Sequence, residues 1–117
     1  MVKEKKNENE AQLEKRIGRL KEEIGALGEM HPGKLSRQFN ICGNPTCKCK
    51  DKHDPVKHGP YYNLSYTFQK KGRTKFIRQE LVGDFTRYTA TYKNLRELVD
   101  QLIECNIKLI DLRTKRS

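Results

Sequence analysis

Residues 42–49 read Cys42-Gly43-Asn44-Pro45-Thr46-Cys47-Lys48-Cys49, and nine positions further on His58-Gly59-Pro60-Tyr61-Tyr62 opens a second stretch. Three thiols and one imidazole make a complete tetrahedral set for zinc, which sulfur binds at about 2.3 Å and histidine nitrogen at about 2.0–2.1 Å. Gly43, Asn44 and Pro45 are turn formers that let neighbouring ligands converge on one ion. Lys48 and Lys50 flank the thiols and favour the thiolate that binds metal. His58 is preferred as the fourth ligand because Gly59-Pro60 directs the chain out of the site into a strand. Its rival, His53, lies in a loose Lys/Asp loop. The Cys-x4-Cys-x-Cys spacing differs from the commoner Cys-x2-Cys knuckle, so a different metal, or free or redox-active thiols, stand as alternatives to structural zinc. Iron–sulfur ligation would need a fourth cysteine. The remaining one, Cys105, falls in a predicted helix and reads as a small buried apolar residue.

Downstream of the cluster the period becomes two. Tyr62, Leu64, Tyr66 and Phe68 alternate with Asn63, Ser65 and Thr67, the spacing of a strand with one apolar face. Lys70-Lys71-Gly72-Arg73 supplies a glycine-containing turn, and Thr74–Gln79 returns through Phe76 and Ile77, so the reading is a two-stranded β-hairpin. A lone hairpin is marginal in water, so this one must pack on the metal knuckle, on a helix, or on both.

On either side the period is helical. Leu13, Ile17, Leu20, Ile24 and Leu27 are spaced 4-3-4-3, a heptad seam with Ile at a and Leu at d. Little more than two heptads are too few to hold a helix alone in water. A parallel homodimer would set Arg16 against Lys21, so an antiparallel partner or the other long helix fits better. Gly25, Gly28 and Pro32-Gly33 end the helix. After Asp84, read as an N-cap, the seam Tyr88, Tyr92, Leu95, Val99, Leu102, Asn106 and Leu109 is widened by Leu98, Ile103, Cys105, Ile110 and Leu112. A helix apolar over two faces has more than one neighbour. Asn106 at an a-type position either fixes register in an oligomer or marks a frayed end.

The expected architecture is therefore α+β. Residues 1–12 form a disordered or frayed start, 13–31 a heptad helix, 34–80 a zinc knuckle leading into a β-hairpin, and 84–116 a long amphipathic helix. The helices form a coiled-coil pair or a dimeric bundle. With 34% of its 117 residues apolar and 34% charged, the chain has a small core, and domains of this kind often need a metal or a partner chain. Mean hydropathy is −0.94, and no run nears the roughly 20 apolar residues of a membrane span, so no membrane partner is expected. Met1-Val2-Lys3-Glu4-Lys5-Lys6 has no apolar core of a secretory signal. A cytoplasmic location is expected, where clustered cysteines read as ligands before disulfides.

The charge of +10 is unevenly spread: residues 1–30 are neutral, residues 81–117 carry +2, and residues 31–80, with eleven basic and three acidic residues, carry +8. A compact basic module suggests a polyanionic partner, nucleic acid above all, either DNA or RNA; the bland alternative is a basic protein with no such target. The candidate contacts are Lys48, Lys50, Lys70, Lys71, Arg73, Lys75 and Arg78, with Lys52 and Lys57 nearby. Tyr61 and Tyr62 are placed to stack on bases or to cover the metal site. Catalysis is not expected. A catalytic zinc keeps an open position with a general base nearby, whereas four donors can close this shell and no Glu lies between residues 30 and 79. Phosphate-cradling glycine loops, nucleophile elbows and His-Glu-x-x-His helices are also absent.

Residues from about Leu35 to Leu112 resemble a small bacterial and archaeal domain of unknown function, often found near mobile elements. The resemblance rests on Cys42-Gly43-Asn44-Pro45-Thr46-Cys47-Lys48-Cys49, His58-Gly59-Pro60-Tyr61-Tyr62 and Leu64-Ser65-Tyr66, followed by a glycine turn and a long helix. It implies His58 rather than His53 as the fourth ligand, leaves the N-terminal helix outside, and suits a nucleic-acid partner by analogy. Two functions compete at this point: a zinc-stabilised nucleic-acid-binding accessory protein, and a protein–protein adaptor working through its helices, as a homodimer or with a helical partner. A subunit of a larger ribonucleoprotein or transposition complex would combine the two.

Overall fold

The computed structural model describes residues 8–40, 46–51 and 56–116. Helix α1 spans Glu10–Gly25, three strands follow as β1 (Lys34–Asn40), β2 (His58–Phe68) and β3 (Lys71–Ile77), and helix α2 spans Val82–Arg116. The class is α+β. The chain divides into a helical unit, 1–29 with 91–117, and a sheet unit, 30–90.

In the helical unit, Asn9 caps α1 through a reciprocal capping box: its side chain accepts from the Gln12 amide, and Gln12 accepts from the Asn9 amide. The helix thus begins three residues before the start of the heptad. Leu13, Ile17 and Leu20 are buried with Leu98, Cys105 and Leu109 of α2, while Ile24, Leu27, Leu102 and Leu112 pack around them. The heptad seam of α1 is therefore closed by α2 of the same chain. Arg113, near the end of α2, reaches Glu14 at 2.7 Å and Glu10 at 4.0 Å in the first turns of α1, so the two helices run antiparallel. Glu8 binds Arg16 at 2.6 Å; that hydrogen bond, with a smaller contribution from Cys105, raises the Arg16 pKa above its ordinary value. Cys105 is buried, as its position in the apolar seam predicts. Asn106 donates to the Leu102 carbonyl of its own helix at 3.0 Å, so its amide is satisfied within α2.

In the sheet unit the order is β1-β2-β3, all antiparallel. The hairpin is β2–β3, but a third strand joins it. Leu35 lies opposite Leu64 and Arg37 opposite Tyr62. The turn sits two residues earlier than its glycine suggests: Phe68 pairs with Lys71, and Gln69 and Lys70 turn the corner with φ of 52° and 68°. That is the two-residue hairpin geometry with both central residues left-handed, which matches the twist of the strands; Gly72 is a strand residue. Tyr62, Leu64 and Tyr66 share a face with Ile77, Lys75 and Arg73 opposite them, and Leu64 and Ile77 are buried. The His31 ring meets Tyr66 edge-on at 4.7 Å and Phe85 of the first turn of α2 at 5.8 Å. Asp84 is not the cap of α2: the helix starts at Val82, directly after a 3-10 turn at Gln79–Leu81, and Asp84 pairs with Arg87 in its first turn.

Candidate metal centre

Two of the predicted ligands come from one tight turn. The 3-10 segment Lys48–Lys50 is closed by the Lys50 amide donating to the Cys47 carbonyl at 3.0 Å and the Asp51 amide donating to the Lys48 carbonyl at 3.1 Å. This places Cys47 at the entrance of the turn and Cys49 within it, with Cys49 only 1% exposed. The Val56 amide also donates to the Lys48 carbonyl at 3.0 Å, tying the approach to β2 back onto the turn two residues before His58.

Glycine is required at the next position. Gly59 has φ of +127°, and a Cβ there would stand 2.8 Å from the Gln38 carbonyl oxygen and 3.2 Å from the Phe39 Cα of β1. Left-handed backbone and the close approach of a neighbouring strand both exclude a side chain. His58 is thereby held at the start of β2, opposite Asn40.

The result is a donor cluster. Sγ of Cys47, Sγ of Cys49 and a ring nitrogen of His58 lie within 4.8 Å of one another, and Cys47 Sγ is 3.0 Å from His58 Nε2. Three soft or borderline donors so close together, one of them buried, can hold a metal ion. Cys42 and the rival His53 lie outside the described residues.

The predicted basic contacts are distributed by the register. Lys48 and Lys50 stand exposed on the turn that carries the thiols, Lys70 is at the hairpin tip, and Lys71, Arg73 and Lys75 alternate along β3 on a single face. Lys75 Nζ lies 5.7 Å from the centre of the Phe85 ring, a cation–π distance. Arg78 is exposed at the end of β3. Lys57 is exposed, and Lys52 lies outside the described residues.

The opposite face of the sheet holds a feature that alternation in β2 alone does not reveal. Asn40, His58, Tyr61, Asn63 and Phe76 line an open concavity of about 440 Å³ beside the metal donors. Phe76 pairs with Asn63, so it points away from Leu64 and is 61% exposed. Tyr61 faces this concavity, whereas Tyr62 stands on the face of Leu64.

Among the described residues no helix is long and apolar enough to cross a membrane. No curated protein and no solved structure matches the chain. One family model does match, over residues 10–87. It takes in α1, which the resemblance left outside, together with the three strands and the three clustered donors, and stops at Arg87 in α2. The chain therefore belongs to the family described as a domain of unknown function, DUF6788.

Proposed function

We propose that this is a non-enzymatic, zinc-stabilised nucleic-acid-binding protein of the cytoplasm, serving as an accessory factor, with association to a mobile element as its suggested setting. Two thiols and an imidazole in mutual reach are a donor set suited to zinc, and Cys42 is the proposed fourth ligand, giving a closed, structural shell. The observation that supports the partner is the register of β2 and β3. It sets Lys71, Arg73 and Lys75 side by side on one face, with Lys70 at the tip, all exposed. Residues two apart on a strand stand about 6.6 Å apart, so these cations form a row that can follow a phosphate backbone.

The test is binding of the metal-loaded chain to labelled DNA and RNA over a range of salt. If about five cations reach phosphates, log K falls against log salt with a slope near −4 to −5 on duplex DNA. Replacing Lys70, Lys71 and Arg73 by Glu should abolish binding while metal content stays at one ion per chain. Binding unchanged by that triple substitution refutes this surface.

A further inference from the structure

Helix α2 carries a second apolar stripe that α1 does not cover. Ile103, Ile107 and Ile110 are 50%, 55% and 56% exposed, whereas Leu98, Cys105 and Leu109 on the inward face are 7%, 2% and 5%. With half-buried Val99 they follow a 4-4-3 spacing and form one continuous row along the helix. Contiguous exposed isoleucines of this kind mark an interaction surface.

The charges beside the row identify its occupant. Arg96 and Asp111 stand on the same flank, near its two ends, about 22 Å apart along the axis. Among the described residues neither makes an ion pair: Lys108 pairs with Glu104, and Arg113 with Glu10 and Glu14. A second α2 laid antiparallel across the row, about a twofold axis near its middle, sets Ile103 against the partner's Ile107. It also brings Arg96 within reach of the partner's Asp111, and the twofold repeats the pair. A parallel copy, related by a twofold along the helix, would instead carry this flank to the far side and leave Arg96 about 22 Å along the axis from the partner's Asp111, too far to pair. The surface is thus self-complementary in one direction only, the property of an isologous interface.

We propose that two copies of this chain associate through the Val99–Ile110 stripe of α2, antiparallel, with reciprocal Arg96–Asp111 pairs at its ends. This assignment does not depend on the nucleic-acid reading, since none of its residues belongs to the basic row or the metal cluster.

Sedimentation velocity of the full, metal-loaded chain over a concentration series tests it. The wild type should sediment as two chains, and Ile103→Glu with Ile107→Glu as one, with an unchanged far-ultraviolet helix signal because both positions face solvent in the single chain. Arg96→Asp and Asp111→Arg should each weaken association about tenfold, and the two together should restore it. A wild type that stays a single chain at its highest soluble concentration overturns the proposal. Two-chain mass retained by the isoleucine variant overturns the surface, and a double charge variant no better than either single one overturns the antiparallel pairing.

Discussion

His58 Nε2 lies 3.0 Å from Cys47 Sγ, eleven residues away in the chain and on a different element. The contact joins the start of β2 to the turn that carries Cys47 and Cys49, so whatever fills the cluster also fastens the sheet to that turn.

Removing a donor should therefore cost both metal and fold. With zinc as the proposed ion, Cys49→Ser and His58→Ala are each expected to bring the bound metal to near zero in native mass spectrometry. Chelation should unfold the sheet unit, because structural zinc contributes about 10–16 kcal/mol in small zinc-dependent folds. His31→Ala, whose ring packs on Tyr66 and Phe85 instead, should leave zinc content unchanged.

Gly59→Ala should destabilise the sheet unit by about 2 kcal/mol or more, the cost of a left-handed side chain with a backbone clash added. The neighbours at fault are the Gln38 oxygen and Phe39 Cα. Urea unfolding and competitive zinc titration should both report the loss, since His58 is displaced along with its neighbour.

The hairpin tip leaves room for improvement. Gln69 and Lys70 both adopt positive φ, which costs a non-glycine residue about 1–2 kcal/mol. Gln69→Asn with Lys70→Gly supplies the favoured pair for this turn and should raise the thermal midpoint by several degrees, about 1 kcal/mol of stability. An unchanged or lower midpoint would contradict the turn geometry.

Leu13, 1% exposed, and Leu64, 0% exposed, anchor the two units. Leu13→Ala should cost about 2–5 kcal/mol, read from helix unfolding in urea, with zinc content unaffected. Leu64→Ala should cost a similar amount and weaken zinc binding, because β2 carries both Leu64 and His58.

Much of this was legible beforehand where periodicity had contrast. Leu13, Ile17 and Leu20 announced a buried seam, and the alternation from Tyr62 to Phe68 announced β2. Strand β1 was not, because Lys34–Asn40 buries no residue and only Leu35 is half-buried, so its sequence lacks the alternation that burial on one face imposes. Gly72 suggests a turn around itself, whereas the corner lies at Gln69 and Lys70, which reach left-handed φ without being glycine. The Cys47, Cys49 and His58 cluster was readable from residue type and spacing. Its distances come from backbone hydrogen bonds at Lys48 and from Gly59, which no ligand count contains. The row of Lys71, Arg73 and Lys75 shows in the sequence as alternation. Which face it shares is set by pairing with Leu64 and Tyr66, a long-range fact.

The strand order leaves β3 on an outer edge of the sheet. Open backbone groups there can template another strand, and closely spaced lysine and arginine are a known deterrent to such growth. Whatever else Lys71, Arg73 and Lys75 touch, their like charges oppose edge-to-edge pairing between molecules, and neutralising them should raise the tendency of this border to aggregate.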